Sequence, residues 1–252
     1  LGPRDEYSQP APSPDVADGS DPANVLPPAT TAGRRDLGYN GSYLVFRQLA
    51  QDVAAFWTYV EGAASAPSAP GDPMTPERLA AKMVGRWPSG ASMVEHQTDP
   101  HAGTPTLVRE NDFEYATEDP KGRCVPIGSH IRRANPRDSL EPDPATSKRS
   151  VRRHRLMRRG RLYGDRIAER TVDDGKPRGL YFICLNSDLE RQFEFVQQTW
   201  INNRVFGGGF LETDPLVGNQ AETAGVMTIP GDPVRRRIHA IRSSRWQGSG
   251  AP

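Results

Sequence analysis

The 252-residue sequence lacks most of the features that identify a function at first reading. Its two cysteines, Cys124 and Cys184, lie far apart, which excludes a disulfide framework and a cysteine-rich zinc site. No apolar run approaches the roughly 20 residues of a membrane-spanning helix, so we expect no membrane anchor. The 32 Lys and Arg residues nearly balance the 31 Asp and Glu residues, and the net charge is +1. This charge gives no overall reason to expect a nucleic-acid partner.

Signatures of nucleotide-binding and hydrolytic sites are also missing. The sequence contains no GxxxxGK[ST], GxGxxG or GxSxG, and Gly207-Gly208-Gly209 predicts only a flexible turn. None of the five histidines has the i, i+4 spacing of a helical zinc site. The first residue is Leu1, and no signal-peptide pattern is present. We therefore expect a sequence that starts partway through a longer protein, and a cytoplasmic location.

Composition divides the chain into three parts. Residues 1–36 are rich in Pro, Ala, Ser and Asp, and predict an extended linker because they cannot bury enough apolar surface. Residues 37–245 carry the apolar patterning of a folded domain. Residues 246–252 predict a disordered tail. Residues 95–125 are predicted to form a loop.

The domain combines strands with helices, which predicts the α+β class. Val53, Phe56, Trp57 and Val60 form an amphipathic helical stripe. A second helix is predicted to begin at Thr75, and the predicted strands and third helix cover residues 42–49, 179–185, 189–201, 225–229 and 238–242. This order favours a ferredoxin-like antiparallel sheet with helices packed on one face.

The segment 148–161 holds nine basic residues in fourteen. Such a run suits nucleic-acid phosphates, but Tyr163 is the only aromatic residue close by, so a solvated charged loop is the favoured interpretation. Binding of a carboxylate-bearing cofactor is a third interpretation, since guanidinium groups pair well with carboxylates.

Four motifs, in order, resemble those of a known family. They are NGSYLVFRQ at 40–48, GSHIRRANPR at 128–137, RLMRRGRLYG at 155–164, and LYF at 180–182 followed by DLERQFEFVQQTW at 188–200. Together they resemble the C-terminal portion of dye-decolourising (DyP-type) haem peroxidases, over about residues 37 to 218. The resemblance implies the C-terminal half of a dimeric ferredoxin-like fold that binds haem b.

The resemblance also implies roles for single residues. His130 corresponds to the proximal ligand of the haem iron, and Arg158 to the catalytic arginine on the distal side. Leu180 and Phe182 would wall the distal pocket, although they could equally be ordinary core side chains. Arg132 is a candidate partner for a haem propionate.

A carboxylate on the second nitrogen of His130 would make this ligand more electron-rich. Asp214 and Glu222 are the two candidates, and the sequence does not choose between them.

The sequence departs from the family pattern at one important point. The GxxDG motif, whose aspartate serves as catalytic acid–base in the family, is absent. We therefore expect a truncated sequence, or one half of a split gene whose missing N-terminal half supplies that residue. General acid–base help is worth roughly 10²–10⁴-fold, so the chain alone should be an impaired peroxidase.

The resulting hypothesis is a haem peroxidase that oxidises small organic reductants with hydrogen peroxide, with neither nucleic acid nor membrane as partner. A homo-oligomer is left open. Two alternatives remain: a non-catalytic haem-binding or iron-handling protein on the same scaffold, and an RNA- or phosphate-binding module that uses residues 148–161.

Overall fold

The computed structural model describes residues 4–65, 73–98, 111–208, 211–220, 225–231 and 236–239. The strands are β1 (Asp15–Ala17), β2 (Arg34–Asp36), β3 (Tyr43–Ala50), β4 (Met157–Arg158), β5 (Arg161–Tyr163), β6 (Gly179–Asn186), β7 (Val226–Ile229) and β8 (Arg236–His239). The α-helices are α1 (Val53–Ala64), α2 (Pro76–Val84), α3 (Tyr115–Glu118), α4 (His130–Ala134) and α5 (Pro144–Arg152). Two π-helical stretches, Glu190–Glu194 and Val196–Ile201, form what we call the C-terminal helix.

The main sheet is antiparallel, with β6 between β3 on one side and β4 and β5 on the other. Directly paired residues of an antiparallel sheet share a face, so the register defines two faces. The cavity face carries Val45, Arg47, Leu49, Arg158, Leu162, Leu180, Phe182 and Cys184. The outer face carries Leu44, Phe46, Met157, Arg161, Tyr181, Ile183 and Leu185. This arrangement confirms the predicted α+β class and the predicted antiparallel pairing.

The first two helices begin where the sequence predicts. The side chain of Asp52 accepts a hydrogen bond from the amide of Ala55 at the start of α1. The hydroxyl of Thr75 accepts one from the amide of Arg78, and Pro76 follows at the first helical position. These caps satisfy amides that have no partner within the helix.

Helix α2 ends at Gly85, whose φ of +102° lies in the left-handed region. A β-carbon at this position would overlap the side chain of Ile131, next to His130 on α4. We predict that Gly85→Ala lowers the free energy of unfolding by about 2–4 kcal/mol, through backbone strain and steric overlap. Chemical denaturation measures this loss.

Gly90 provides a matched control, because its φ is +92° and no atom lies within 4 Å of the position of an added β-carbon. Gly90→Ala should therefore lower the free energy of unfolding through backbone strain alone, by about 1 kcal/mol. Equal losses for the two variants would contradict the close packing of α2 on α4.

Several expectations from the sequence are wrong in detail. The predicted loop 95–125 contains α3, and the basic segment overlaps α5, which begins with a cap between Asp143 and the amide of Thr146. The predicted coil 1–36 contains the β1–β2 hairpin, closed by an ion pair of 2.6 Å between Arg34 and Asp15. These elements depend on caps and ion pairs, which apolar periodicity does not reveal.

The late strands were predicted with mixed success. Strand β7 matches the prediction for 225–229, whereas β8 begins two residues before the predicted 238. Residues 246–252, predicted as a tail, lie outside the described residues. Within the described part of the chain, no helix is long and apolar enough to cross a bilayer.

Candidate functional site

His130 and Asp214 form a hydrogen-bonded pair across 84 residues of sequence, with 2.8 Å between Nδ1 of His130 and Oδ2 of Asp214. The Asp214 side chain is completely buried, whereas 31% of the His130 side chain is exposed. The other oxygen of Asp214 accepts hydrogen bonds from the amides of Leu216 and Val217. The carboxylate is thereby held in place, and it holds the imidazole with Nδ1 facing the protein.

The two side chains shift each other's pKa. Burial disfavours the charged form of His130 and nearby Arg158 adds to this, but Asp214 outweighs both and raises the pKa of His130. Burial works against the Asp214 carboxylate, yet the charge and hydrogen bond of His130 and two backbone amides keep its pKa below the usual range. These shifts favour a protonated imidazole beside a charged carboxylate. A metal ion bound at Nε2 would replace one proton and leave an imidazole made more electron-rich by the carboxylate.

A cavity of about 1690 Å³ opens in front of His130. Pockets for drug-sized ligands measure roughly 300–1,000 Å³, so the space suits a larger group. Its walls come from the cavity face of the sheet, from α1, α4 and α5, and from the C-terminal helix. Apolar lining residues include Leu49, Phe56, Trp57, Leu180, Phe182, Phe193, Val196 and Ile201.

The structure brings together four of the five site residues indicated by the sequence. Arg158, Leu180 and Phe182 line the same cavity as His130. Arg158 is close enough for its charge to act on the imidazole. The ring of Phe182 lies 5.9 Å from that of Phe193 on the C-terminal helix, which fixes one wall.

Comparison with known proteins identifies the family to which this chain belongs. The multifunctional dye peroxidase DyP2 of Amycolatopsis sp. is 36% identical over 191 residues, covering 72% of this chain and 39% of the relative. The solved structure of DyP2 superimposes with a TM-score of 0.62, covering 79% of this chain and 43% of that one. The chain belongs to the DyP-type peroxidase family.

Other relatives support this membership, although no family model matches the chain. A mutant dye-decolorizing peroxidase of Pleurotus ostreatus has a TM-score of 0.68 at 26% identity, covering 96% of this chain and 55% of that one. A deferrochelatase of Yersinia pestis is 31% identical over 129 residues, covering 48% of this chain and 26% of the relative. This DyP-type chain spans about two fifths of the curated relatives' length and corresponds to their C-terminal portion. Its fold is the ferredoxin-like α+β fold.

Arg132 does not join the other site residues of this DyP-type chain. Its guanidinium is buried, donates to the carboxylate of Asp119 at 3.2 Å and to the Val125 carbonyl at 2.9 Å, and lies over the ring of Tyr115. It does not line the His130 cavity. The geometry therefore gives no support to a contact between Arg132 and a propionate.

Other cations surround the cavity instead. The lining basic residues are Arg47, Arg86, Arg137, Lys148, Arg152, Arg155 and Arg158. Four of them come from the basic segment 148–161, so this segment contributes to the cavity wall. The interpretation as a cofactor-binding segment thus gains support over that of a separate nucleic-acid surface.

Arg133, which follows Arg132 on α4, has a role at the site that the sequence did not predict. Its side chain is 1% exposed and donates to the carbonyls of Gly128, Trp200, Asn203 and Glu212. It therefore ties the chain just before His130 to the segment that carries Asp214. Nothing in the motif distinguishes this arginine from its neighbour.

The donor set fits a haem better than a bare metal ion. With Nδ1 engaged by Asp214, Nε2 of His130 is available as a single neutral nitrogen ligand. Within the described ranges, no group of three or more His, Cys, Asp or Glu side chains could hold a metal ion. One imidazole, apolar walls and cations at the cavity are the features expected for an iron porphyrin. Glu222, the alternative partner of His130, lies outside the described residues.

Proposed function

We propose that the chain is the haem-binding part of a DyP-type peroxidase, with His130 as the iron ligand. The observation that carries this proposal is the His130–Asp214 pair, which lies at a large apolar cavity lined also by Arg158. Haem b, when bound, supplies the redox chemistry by which hydrogen peroxide is reduced and an organic reductant is oxidised.

Asp214 would serve as a positioning residue. It accepts the Nδ1 hydrogen bond and so keeps Nε2 of His130 free to bind iron. A carboxylate at this position increases the basicity of the imidazole and strengthens its bond to the metal. Because Asp214 is itself held by two backbone amides, the orientation of the imidazole is built in before any ligand arrives.

Arg158 would act on the peroxide. A guanidinium remains charged at any pH of interest, so it cannot accept the proton that peroxide must lose. It can stabilise the negative charge that develops as the O–O bond breaks. The sequence contains no GxxDG aspartate, and we therefore expect slow turnover unless another polypeptide provides the proton acceptor.

The cofactor's two propionates require cationic partners. Arg137 lies over the ring of Phe113 and donates to the carbonyls of Asn111 and Phe113, so it is held rigidly at the cavity. Arg152 and Arg155 line the same cavity and have exposed side chains. We propose these three arginines, in place of Arg132, as the candidates for propionate binding.

Haem titration followed by peroxide-dependent dye oxidation tests the proposal. We expect a Soret band on addition of haem, and slow dye oxidation that requires both haem and peroxide. Arg158→Leu should lower kcat/KM by roughly 10²–10³-fold while the Soret band persists. Arg161→Leu is the matched control, because Arg161 lies on the outer face of the sheet. Equal activity of the Arg158 and Arg161 variants would refute the role of Arg158.

Iron handling is the second candidate function. It is favoured by the similarity to a protein named deferrochelatase, together with the absent aspartate. Haem-loaded protein would then release iron and leave a fluorescent metal-free porphyrin, without dye oxidation. If porphyrin fluorescence does not increase in the presence of a reductant and an iron chelator, this alternative is excluded.

A further inference from the structure

A second cavity, of about 290 Å³, lies apart from the His130 cavity, and the two share no lining residue in the part of the chain that the structure describes. Its volume is close to the lower end of the range for small-molecule pockets, roughly 300–1,000 Å³. Its apolar lining residues are Ala116, Pro120, Ile127, Pro136, Leu140 and Phe206, and its polar side chains are Arg132, Ser139 and Glu141. The cavity therefore suits a small ligand that combines an apolar group with a few polar ones.

The guanidinium of Arg132 forms the buried polar end of this second cavity. Its side chain is 3% exposed. Its hydrogen bonds within the described ranges all start from Nη1, and they reach the carbonyls of Asp119 and Val125 and the Asp119 carboxylate. Nε and Nη2 have no partner among the described residues, and neither nitrogen is enclosed by protein. The free edge of a guanidinium matches the two oxygens of a carboxylate.

The remaining charge at this cavity is negative. Glu141 has an exposed side chain and forms no ion pair with the described residues. Asp119, at 3.2 Å from Arg132, already balances the charge of the guanidinium. The hydroxyl of Ser139 donates to the carbonyl of Pro136 at 2.9 Å, so its oxygen is left to accept a hydrogen bond. A ligand with a carboxylate alone would be repelled by Glu141, whereas one that also carries an ammonium group would be attracted.

We propose that the second cavity binds an α-amino acid with an apolar side chain. Its carboxylate accepts hydrogen bonds from Nε and Nη2 of Arg132, and its ammonium group faces Glu141. The apolar side chain of the ligand contacts the ring of Phe206 and the neighbouring apolar wall. The proposal goes beyond the proposed function and does not depend on haem, because the His130 cavity takes no part in it.

Isothermal titration calorimetry of the chain with L-phenylalanine and two analogues tests the proposal. L-Phenylalanine should bind. 2-Phenylethylamine, which lacks the carboxylate, should bind at least tenfold more weakly, because it makes no charge-assisted hydrogen bonds with the buried guanidinium of Arg132. 3-Phenylpropionate, which lacks the ammonium group, should bind about fivefold more weakly, near the upper limit for an exposed ion pair.

Glu141→Gln tests the site without disturbing Arg132, whose hydrogen bonds also hold the backbone at Asp119 and Val125. In this variant the affinities for L-phenylalanine and 3-phenylpropionate should agree within about twofold, because a carboxamide neither attracts the ammonium group nor repels the carboxylate. Glu169→Gln is the matched control, since Glu169 is exposed and lines neither cavity. The control should keep the preference of the parent chain for the amino acid.

Three results would overturn the proposal: no binding of L-phenylalanine, equally tight binding of 2-phenylethylamine, or a preference for the amino acid that persists in Glu141→Gln. Haem in excess should leave the affinity for L-phenylalanine unchanged. A loss of binding on addition of haem would place the amino acid in the His130 cavity and would also overturn the proposal. Failure of the proposed function is distinguishable, because it would appear as a missing Soret band while the calorimetry of the haem-free chain is unaffected.

Discussion

Replacing His130 with alanine is expected to abolish specific haem binding by the chain. His130 is the sole histidine that lines the cavity within the described residues. The iron would lose its protein ligand, and neither the apolar walls nor the arginines proposed for the propionates supply a nitrogen that could replace it. Absorption titration should show a Soret band for the parent chain and only the spectrum of free haem for His130→Ala.

Added imidazole provides the control for this variant. The substitution leaves space in front of Asp214, where a free imidazole can bind with its N–H towards the carboxylate. Imidazole should then restore haem that co-elutes with the variant in gel filtration, whereas haem ligated by imidazole in solution elutes separately, and this co-elution shows that the variant is folded. A parent-like spectrum of His130→Ala without imidazole would mean that another side chain binds the iron.

Arg133→Met is expected to lower the free energy of unfolding by about 3–5 kcal/mol, the usual loss when one member of a buried charged network is removed. The side chain is 1% exposed, and its removal leaves four carbonyls without their donor. The negative charges of Asp214 and Glu212, which favour the charged form of this arginine, would also lose a neighbouring cation. Urea denaturation monitored by tryptophan fluorescence measures the loss.

Arg166→Met is the matched control, because Arg166 is exposed. A change on an exposed surface usually stays within about 0.5 kcal/mol. Arg133→Lys should fall between the two variants, because an ammonium retains the charge but cannot reach four carbonyls with one planar group. A loss for Arg133→Met as small as that of the control would show that Arg133 does not hold the site together.

The sequence predicted the parts of the site that lie within short motifs. His130, Arg158, Leu180 and Phe182 each belong to a recognisable stretch, and the structure places them around one cavity. Asp214 was left open against Glu222, because the pair with His130 spans 84 residues and no local pattern reports such a contact. Only the folded chain shows the two side chains together.

Arg132 and Arg133 show why a motif does not assign roles to neighbouring residues. Consecutive residues of a helix point about 100° apart, so one arginine of the motif reaches Asp119 and the other reaches the carbonyls beside Asp214. The identity of both residues was visible in the sequence, but their directions were not. Helix α5 escaped prediction for a related reason: the cap of Asp143 and Pro144 defines its start, and a charged face hides its apolar periodicity.

The most direct test of the account is the resonance Raman spectrum of the ferrous, haem-loaded chain. An iron–histidine stretching band should be present in the parent chain and absent from His130→Ala. Asp214→Asn should retain the band at lower frequency, because an amide increases the electron density of the imidazole less than a carboxylate does. A band that persists without His130, or that does not move when Asp214 is replaced, would contradict the assignment of this pair as the haem-binding centre.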